Sequence, residues 1–196
     1  MTFLKSDSRS HERAASLLAE GRVCVLPTDT VYGLSGVVDF AGSVRYDTAR
    51  RIQQIKGRAV AKPLIILLDS PDAISDYAGC CVPPHLLGKW PGPLTLIVPL
   101  RAGCTLVSSA GTAAFRCPGD PWLRSVIRSC GRPVYSTSAN QSGSPVLERE
   151  SDIVRMFSGV CDFIVCDGDR PGGVPSTIVS VLEGRESVLR QGAVVV

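Results

Sequence analysis

The chain has 196 residues, 44% hydrophobic and 20% charged, enough for an ordinary core and, by length, one domain. No apolar run is long enough to span a bilayer, and the polar-then-helical N-terminus has no apolar signal core, so neither membrane insertion nor secretion is expected. A net charge of +3 allows an anionic ligand without requiring nucleic acid.

In chain order, Ser8–Glu20 reads as a helix, with Ala14, Leu17 and Leu18 at helical spacing and Gly21 after its end. Val23–Leu26 reads as a buried strand that Pro27 stops, because proline has no amide hydrogen to continue a central ladder. Thr28, Asp29 and Thr30 follow, then Val31, Tyr32 and two glycines, Gly33 and Gly36. A strand that ends in hydroxyls and a carboxylate carries them to the sheet rim, where α/β folds seat ligands. The ordinary alternative is a turn capped by Asp29 and the threonines.

Ser43–Lys56 is expected to be a second helix, ended by Gly57. Pro63–Leu68 is a short apolar run and reads as a buried strand. Short helices are expected over Pro71–Tyr77 and Pro83–Lys89, a longer one over Pro121–Cys130, and Asp152–Phe157 also reads as helical. Leu94–Pro99, Thr112–Cys117, Val134–Thr137, Phe163–Cys166, Thr177–Leu182 and Ser187–Arg190 read as strands. No repeat, linker or low-complexity tract interrupts them. Strands and helices without strict alternation point to an α+β fold, one domain over residues 1–196 around a twisted, mostly antiparallel or mixed sheet.

The eight cysteines form no CxxC pair, and His11 and His85 are the only histidines, so a zinc site is not expected. Several cysteines sit in apolar strands and read as reduced thiols of a cytoplasmic protein. GxxxxGK[ST], GxGxxG and GxSxG are absent. Two histidines in polar or proline-flanked contexts do not suit a histidine-based nucleophile machine.

What remains is a set of cations and hydroxyls at the ends of elements. Lys56 alone could be a cation favoured by a helix C-terminus, worth ~0.3–1 kcal/mol. Lys56, Arg58 and Lys62 within seven residues repel one another and call for an anion, such as a triphosphate. Ser136-Thr137-Ser138-Ala139-Asn140 follows a strand and is either a polar turn or a cradle for an anion or ribose. Arg116, between apolar strand residues, either snorkels to solvent or pairs with a carboxylate. Ser176-Thr177 and Arg190 complete the set.

PTDTVYGL, KGR with KPL, WPGPLTL, AFRCP, STSANQSG, PSTIV and LRQG, in this order from about Val23 to Gly192, resemble the YrdC-like family of threonylcarbamoyl-AMP synthases. The resemblance implies a double-psi-type α/β twist with helices around a deep basic cavity. The implied reaction joins L-threonine, bicarbonate and ATP into threonylcarbamoyl-AMP and pyrophosphate, with Mg²⁺ carried on the ATP. Downstream tRNA threonylcarbamoyl-transfer proteins would be partners, and weak tRNA or double-stranded RNA binding is a further expectation.

By the same likeness, Thr30, Arg116, Ser136 and Ser176 would contact threonine. Arg58, Lys62, Thr112, Ser138, Asn140 and Arg190 would contact ATP, with Lys56 and Arg58 as the catalytic cations. Asp29 is a base or metal-ligand candidate, with turn capping as the ordinary role. Leu67 stands where relatives carry a histidine, and the chain ends just after LRQG, as in a single-domain form. Two alternatives stand beside this reading: a non-enzymatic RNA-binding module using the same cavity, and a carbamoyl-adenylate former.

Overall fold

Successive side chains of a strand point to opposite faces of its sheet, and the central strands of this chain, such as Cys24–Leu26 and Phe163–Cys166, are buried toward both. The computed structural model describes residues 1–43, 45–57, 63–106 and 111–196. Among them, ten strands form one sheet: β1 Thr2–Leu4, β2 Cys24–Leu26, β3 Gly33–Val37, β4 Ile65–Leu67, β5 Leu94–Pro99, β6 Thr112–Arg116, β7 Val134–Ser138, β8 Phe163–Cys166, β9 Thr177–Leu182 and β10 Arg185–Arg190. Their spatial order is β1-β8-β2-β3-β7-β4-β6-β5-β9-β10. Five neighbouring pairs run antiparallel and four parallel, so the sheet is mixed as expected.

Among the described residues five α-helices accompany the sheet, α1 Ser10–Ala19, α2 Thr48–Lys56, α3 Pro84–Leu87, α4 Pro121–Cys130 and α5 Glu150–Phe157, with a 3-10 turn over Asp72–Asp76. Two-residue alternation divides the strand side chains between two cores. Cys24, Leu26, Phe163 and Val165 pack with Ala14 and Leu18 of α1 and Leu123, Val126 and Ile127 of α4. Val23, Val25, Ile164 and Cys166 turn the other way, into the larger core with Ile52, Leu86, Ile153 and Phe157. Asp120 starts α4, its carboxylate accepting from the backbone N–H groups of Trp122 and Leu123, and Pro121 takes the first helical position.

Three elements depart from the expectation. The helix expected from Ser43 starts at Thr48, because Asp47 is left-handed (φ 52°) and Asp39 accepts the Tyr46 amide; residue 44 lies outside the described residues. The Thr48 hydroxyl bonds Val37 O and fixes the helix start against β3. β3 itself is a strand where no element was expected, and β1 adds a short parallel edge beside β8. Five of the eight cysteines are buried; Cys80 and Cys104 are half-buried and Cys81 is exposed. None of the helices among the described residues is long and apolar enough to cross a membrane.

Candidate functional site

The sheet register sets out the floor of a cavity. Ser136 of β7 lies between Ser35 and Ile65, and Leu67 of β4 pairs with Arg116 of β6. Side chains two apart share a face, so Ser136 and Ser138, Ile65 and Leu67, and Arg116 face the opening. Their neighbours Tyr135, Ile66 and Phe115 go to the core. The described residues enclose about 300 Å³ there, at the low end of the roughly 300–1,000 Å³ usual for ligand pockets.

The amino end of this cavity is the turn after β2. Thr28 Oγ1 donates to Val31 O at 2.7 Å and accepts from the Thr30 and Val31 amides, so Thr28 caps the turn. The two threonine hydroxyls lie 3.0 Å apart. Thr30 Oγ1 accepts from Arg116 Nη1 at 2.9 Å, which leaves it one lone pair for a donor in the cavity.

Arg116 is buried and does not snorkel. Its Nε donates to Gly92 O at 3.1 Å and its Nη2 to Asp29 Oδ1 at 2.7 Å. Burial pulls its pKa below the ordinary arginine value, and the Asp29 charge pushes back up. Asp29 does not cap the turn, since Thr28 does, and it is not among the residues lining the cavity. Its contact with the site runs through Arg116.

Opposite, Lys56 ends α2, where left-handed Gly57 (φ 61°) stops the helix. Lys56 is 5% exposed, and its ammonium bonds Ser138 O at 2.5 Å, Asn140 Oδ1 at 2.8 Å, Ser138 Oγ at 3.2 Å and Asn140 O at 3.3 Å. Ser138 Oγ donates to Asn140 Oδ1 at 2.7 Å. Lys56 therefore holds both polar side chains of the loop after β7 in one geometry.

The third wall is the segment leading into β9. Ser176 is buried, its hydroxyl 2.8 Å from Thr95 Oγ1, and its carbonyl accepts from Arg190 Nη2 at 2.7 Å and Nε at 3.1 Å. Arg190 sits at the rim, and among the described residues no carboxylate pairs with it. Partial burial lowers its pKa, and repulsion from Arg116 lowers it further. Upstream, the Tyr32 hydroxyl donates to Gly168 O and accepts from the Asp167 amide, both at 2.8 Å, tying this segment to the turn after β2.

Of the residues expected at the site, Thr30, Lys56, Arg116, Ser136, Ser138, Asn140, Ser176 and Arg190 line this one cavity. Thr112 does not; it starts β6 opposite Pro99, four residues along the strand from Arg116. Arg58 and Lys62 lie outside the described residues. Leu67, which the resemblance set where relatives carry a histidine, also lines the cavity, whereas sequence reasoning missed Ile65 and Ile178, although their place follows from strand alternation once the register is known. It also gave Asp29 no partner: β2, which Asp29 follows, and β6, which carries Arg116, are separated in the sheet by β3, β7 and β4. No group of three or more metal-ligating side chains occurs among the described residues.

The Sua5_yciO_yrdC family model, described as "Telomere recombination", matches residues 16–192. A threonylcarbamoyl-AMP synthase of Bacillus subtilis is 32% identical over 191 residues, covering 93% of this chain and 53% of the relative. One from Pyrococcus abyssi is 33% identical over 185 residues, covering 91% and 53%. The chain thus spans about half the length of these curated relatives. A crystal structure of P. abyssi Sua5 complexed with L-threonine superposes with a TM-score of 0.80 at 31% identity, over 93% of this chain and 54% of that one. With a family match over nearly its whole length, the chain belongs to the Sua5/YciO/YrdC family.

Proposed function

We propose that the cavity makes threonylcarbamoyl-AMP from L-threonine, bicarbonate and ATP, a nucleotidyl transfer that supplies tRNA threonylcarbamoyladenosine modification. The observation that carries the reading is the pair of arginines. Arg116 has three of its five N–H donors on protein acceptors, leaving one each on Nη1 and Nη2 for a carboxylate. Arg190, without a carboxylate partner among the described residues, stands across the same cavity. An amino acid beside a nucleotide phosphate answers both. The curated relatives carry this activity in their names, and L-threonine is the ligand of the superposed P. abyssi structure.

The chemistry needs no protein nucleophile. The threonine amine attacks the carbon of bicarbonate, forming an N–C bond and releasing water. A carbamate oxygen then attacks the α-phosphorus of ATP, and the bond to the leaving pyrophosphate breaks. Both attacking partners are anionic in the second step, so fixed cations lower the barrier by offsetting their repulsion and the charge on the leaving group. Arg116 holds the threonine carboxylate, and the free lone pair of Thr30 accepts from the substrate's amine or hydroxyl. Ser136 and Ser176 complete the amino-acid side. Lys56 fixes Ser138 and Asn140 for the phosphates, with Arg190, Arg58 and Lys62 as further cations and Mg²⁺ arriving on the nucleotide. Holding the reactants together contributes roughly 7–11 kcal/mol.

Mass spectrometry of mixtures of the protein with ATP, bicarbonate and each of several amino acids tests the reading. Threonylcarbamoyl-AMP and pyrophosphate are expected only when threonine, bicarbonate and ATP are all present. Absence of an adenylate, or an adenylate made from carbamoyl phosphate without threonine, would overturn it.

A further inference from the structure

Asp29 has no role in the chemistry above, yet three features of the fold fix its place. It follows the strand-ending Pro27, its Oδ1 takes the 2.7 Å bond from the buried Arg116, and Gly119 closes on it from the other side. A methyl group on Gly119 would lie 2.8 Å from Asp29 Oδ2, a separation that side chains do not tolerate. The carboxylate is 18% exposed and its partner 6%, so solvent screens this pair far less than a surface one.

We infer that Asp29 is a positioning residue: it aims the Arg116 guanidinium so that its two spare N–H donors face the cavity, and its negative charge sets how tightly that guanidinium holds the substrate's carboxylate. The inference rests on the proposed amino-acid site. Gly92 O and Thr30 Oγ1 fix two sides of the planar guanidinium, and Asp29 fixes the third. Removing the acceptor frees the plane to turn. Removing only the charge leaves the plane fixed and takes away a carboxylate that competes with the ligand's own for the same cation.

The two effects have opposite signs, which a purely structural role does not produce. Asn at position 29 keeps the size and an acceptor oxygen but not the charge; Ala keeps neither. The test is titration calorimetry of L-threonine, and separately of ATP, into the wild-type chain, Asp29→Asn and Asp29→Ala. Asp29→Asn is expected to bind threonine at least as tightly as wild type. Asp29→Ala is expected to bind it about tenfold or more weakly, as for loss of one charged hydrogen-bond geometry. ATP affinity should stay within about twofold of wild type in both.

Threonine binding weaker than wild type in Asp29→Asn overturns the inference, as does undiminished binding in Asp29→Ala. If the Ala variant does not fold, the Asn comparison decides alone. A wild-type chain that binds no threonine is a different result: it removes the proposed amino-acid site itself.

Discussion

A methyl group added at position 33 would sit 2.5 Å from Ser136 Oγ, so glycine is required there for a cavity hydroxyl to keep its place. Gly33→Ala is expected to raise the threonine KM about tenfold and to cost roughly 1–3 kcal/mol of stability from overpacking; unchanged kinetics would mean that Ser136 is not on the amino-acid side. Arg116→Ala should act on the same ligand and more strongly, raising the threonine KM by about a hundredfold with the larger part of ATP binding retained, since it removes a charge-assisted bidentate contact of ~1.5–3 kcal/mol. Arg58→Ala, outside the described residues, is expected to abolish adenylate formation while circular dichroism shows the fold intact. Taken one by one, the hydroxyls and cations that line the cavity read equally as turn or helix-end residues, and it was the ordered set of family-like motifs that singled them out. The Asp29–Arg116 pair was not legible, because pairing across 87 positions depends on the strand register, which no local pattern encodes.

At the scale of elements, Asp162 shows how one carboxylate fixes a strand's start. Its Oδ2 accepts from the Val23 amide and from Arg51 Nη2, each at 2.7 Å, and so joins β2, α2 and the turn before β8. Burial pushes its pKa up, but the Val23 and Arg51 bonds outweigh this and hold it below the ordinary carboxylate value. A depressed pKa adds stability above the unfolded-state value, and that stability is lost as pH falls through the folded-state value. Asp162→Asn is therefore expected to cost about 1 kcal/mol at neutral pH, after allowance for partial exposure, and the difference from wild type should vanish in acid. A deficit that stays constant as pH falls through the carboxylate range into strong acid would contradict the assignment; denaturant titrations across that range measure it.

Strands with continuous apolar runs, such as β5, β6 and β8, were readable because burial of both faces leaves that signature. β3 was not, since GLSGV carries two glycines that weaken a strand pattern and that packing against Ser136 and Thr48 demands. The start of α2 was misplaced because apolar spacing continues upstream of Thr48 while the backbone turns left-handed at Asp47.

For the whole molecule, one sheet passes through both cores, so they should be lost together. The two tryptophans report one core each: Trp90 belongs to the larger core, and Trp122 packs against the smaller. Urea unfolding followed by tryptophan fluorescence and by far-ultraviolet circular dichroism is expected to give coincident transitions, as for a two-state domain. Two separated transitions would show cores that are independently stable. The fold class was legible from the mixture of elements, whereas the strand order was not, since β4 lies between β7 and β6 and β5 beside β9 through long-range pairing alone.

The proposed function requires a single cavity to seat an amino acid and a nucleotide side by side. A crystal structure of the chain with L-threonine and a non-hydrolysable ATP analogue tests it directly. The account predicts the threonine carboxylate on Arg116 and the phosphates beside Ser138, Asn140 and Arg190, in one continuous density. Ligands seated apart on different faces, or either one bound away from Arg116 and Arg190, would contradict it.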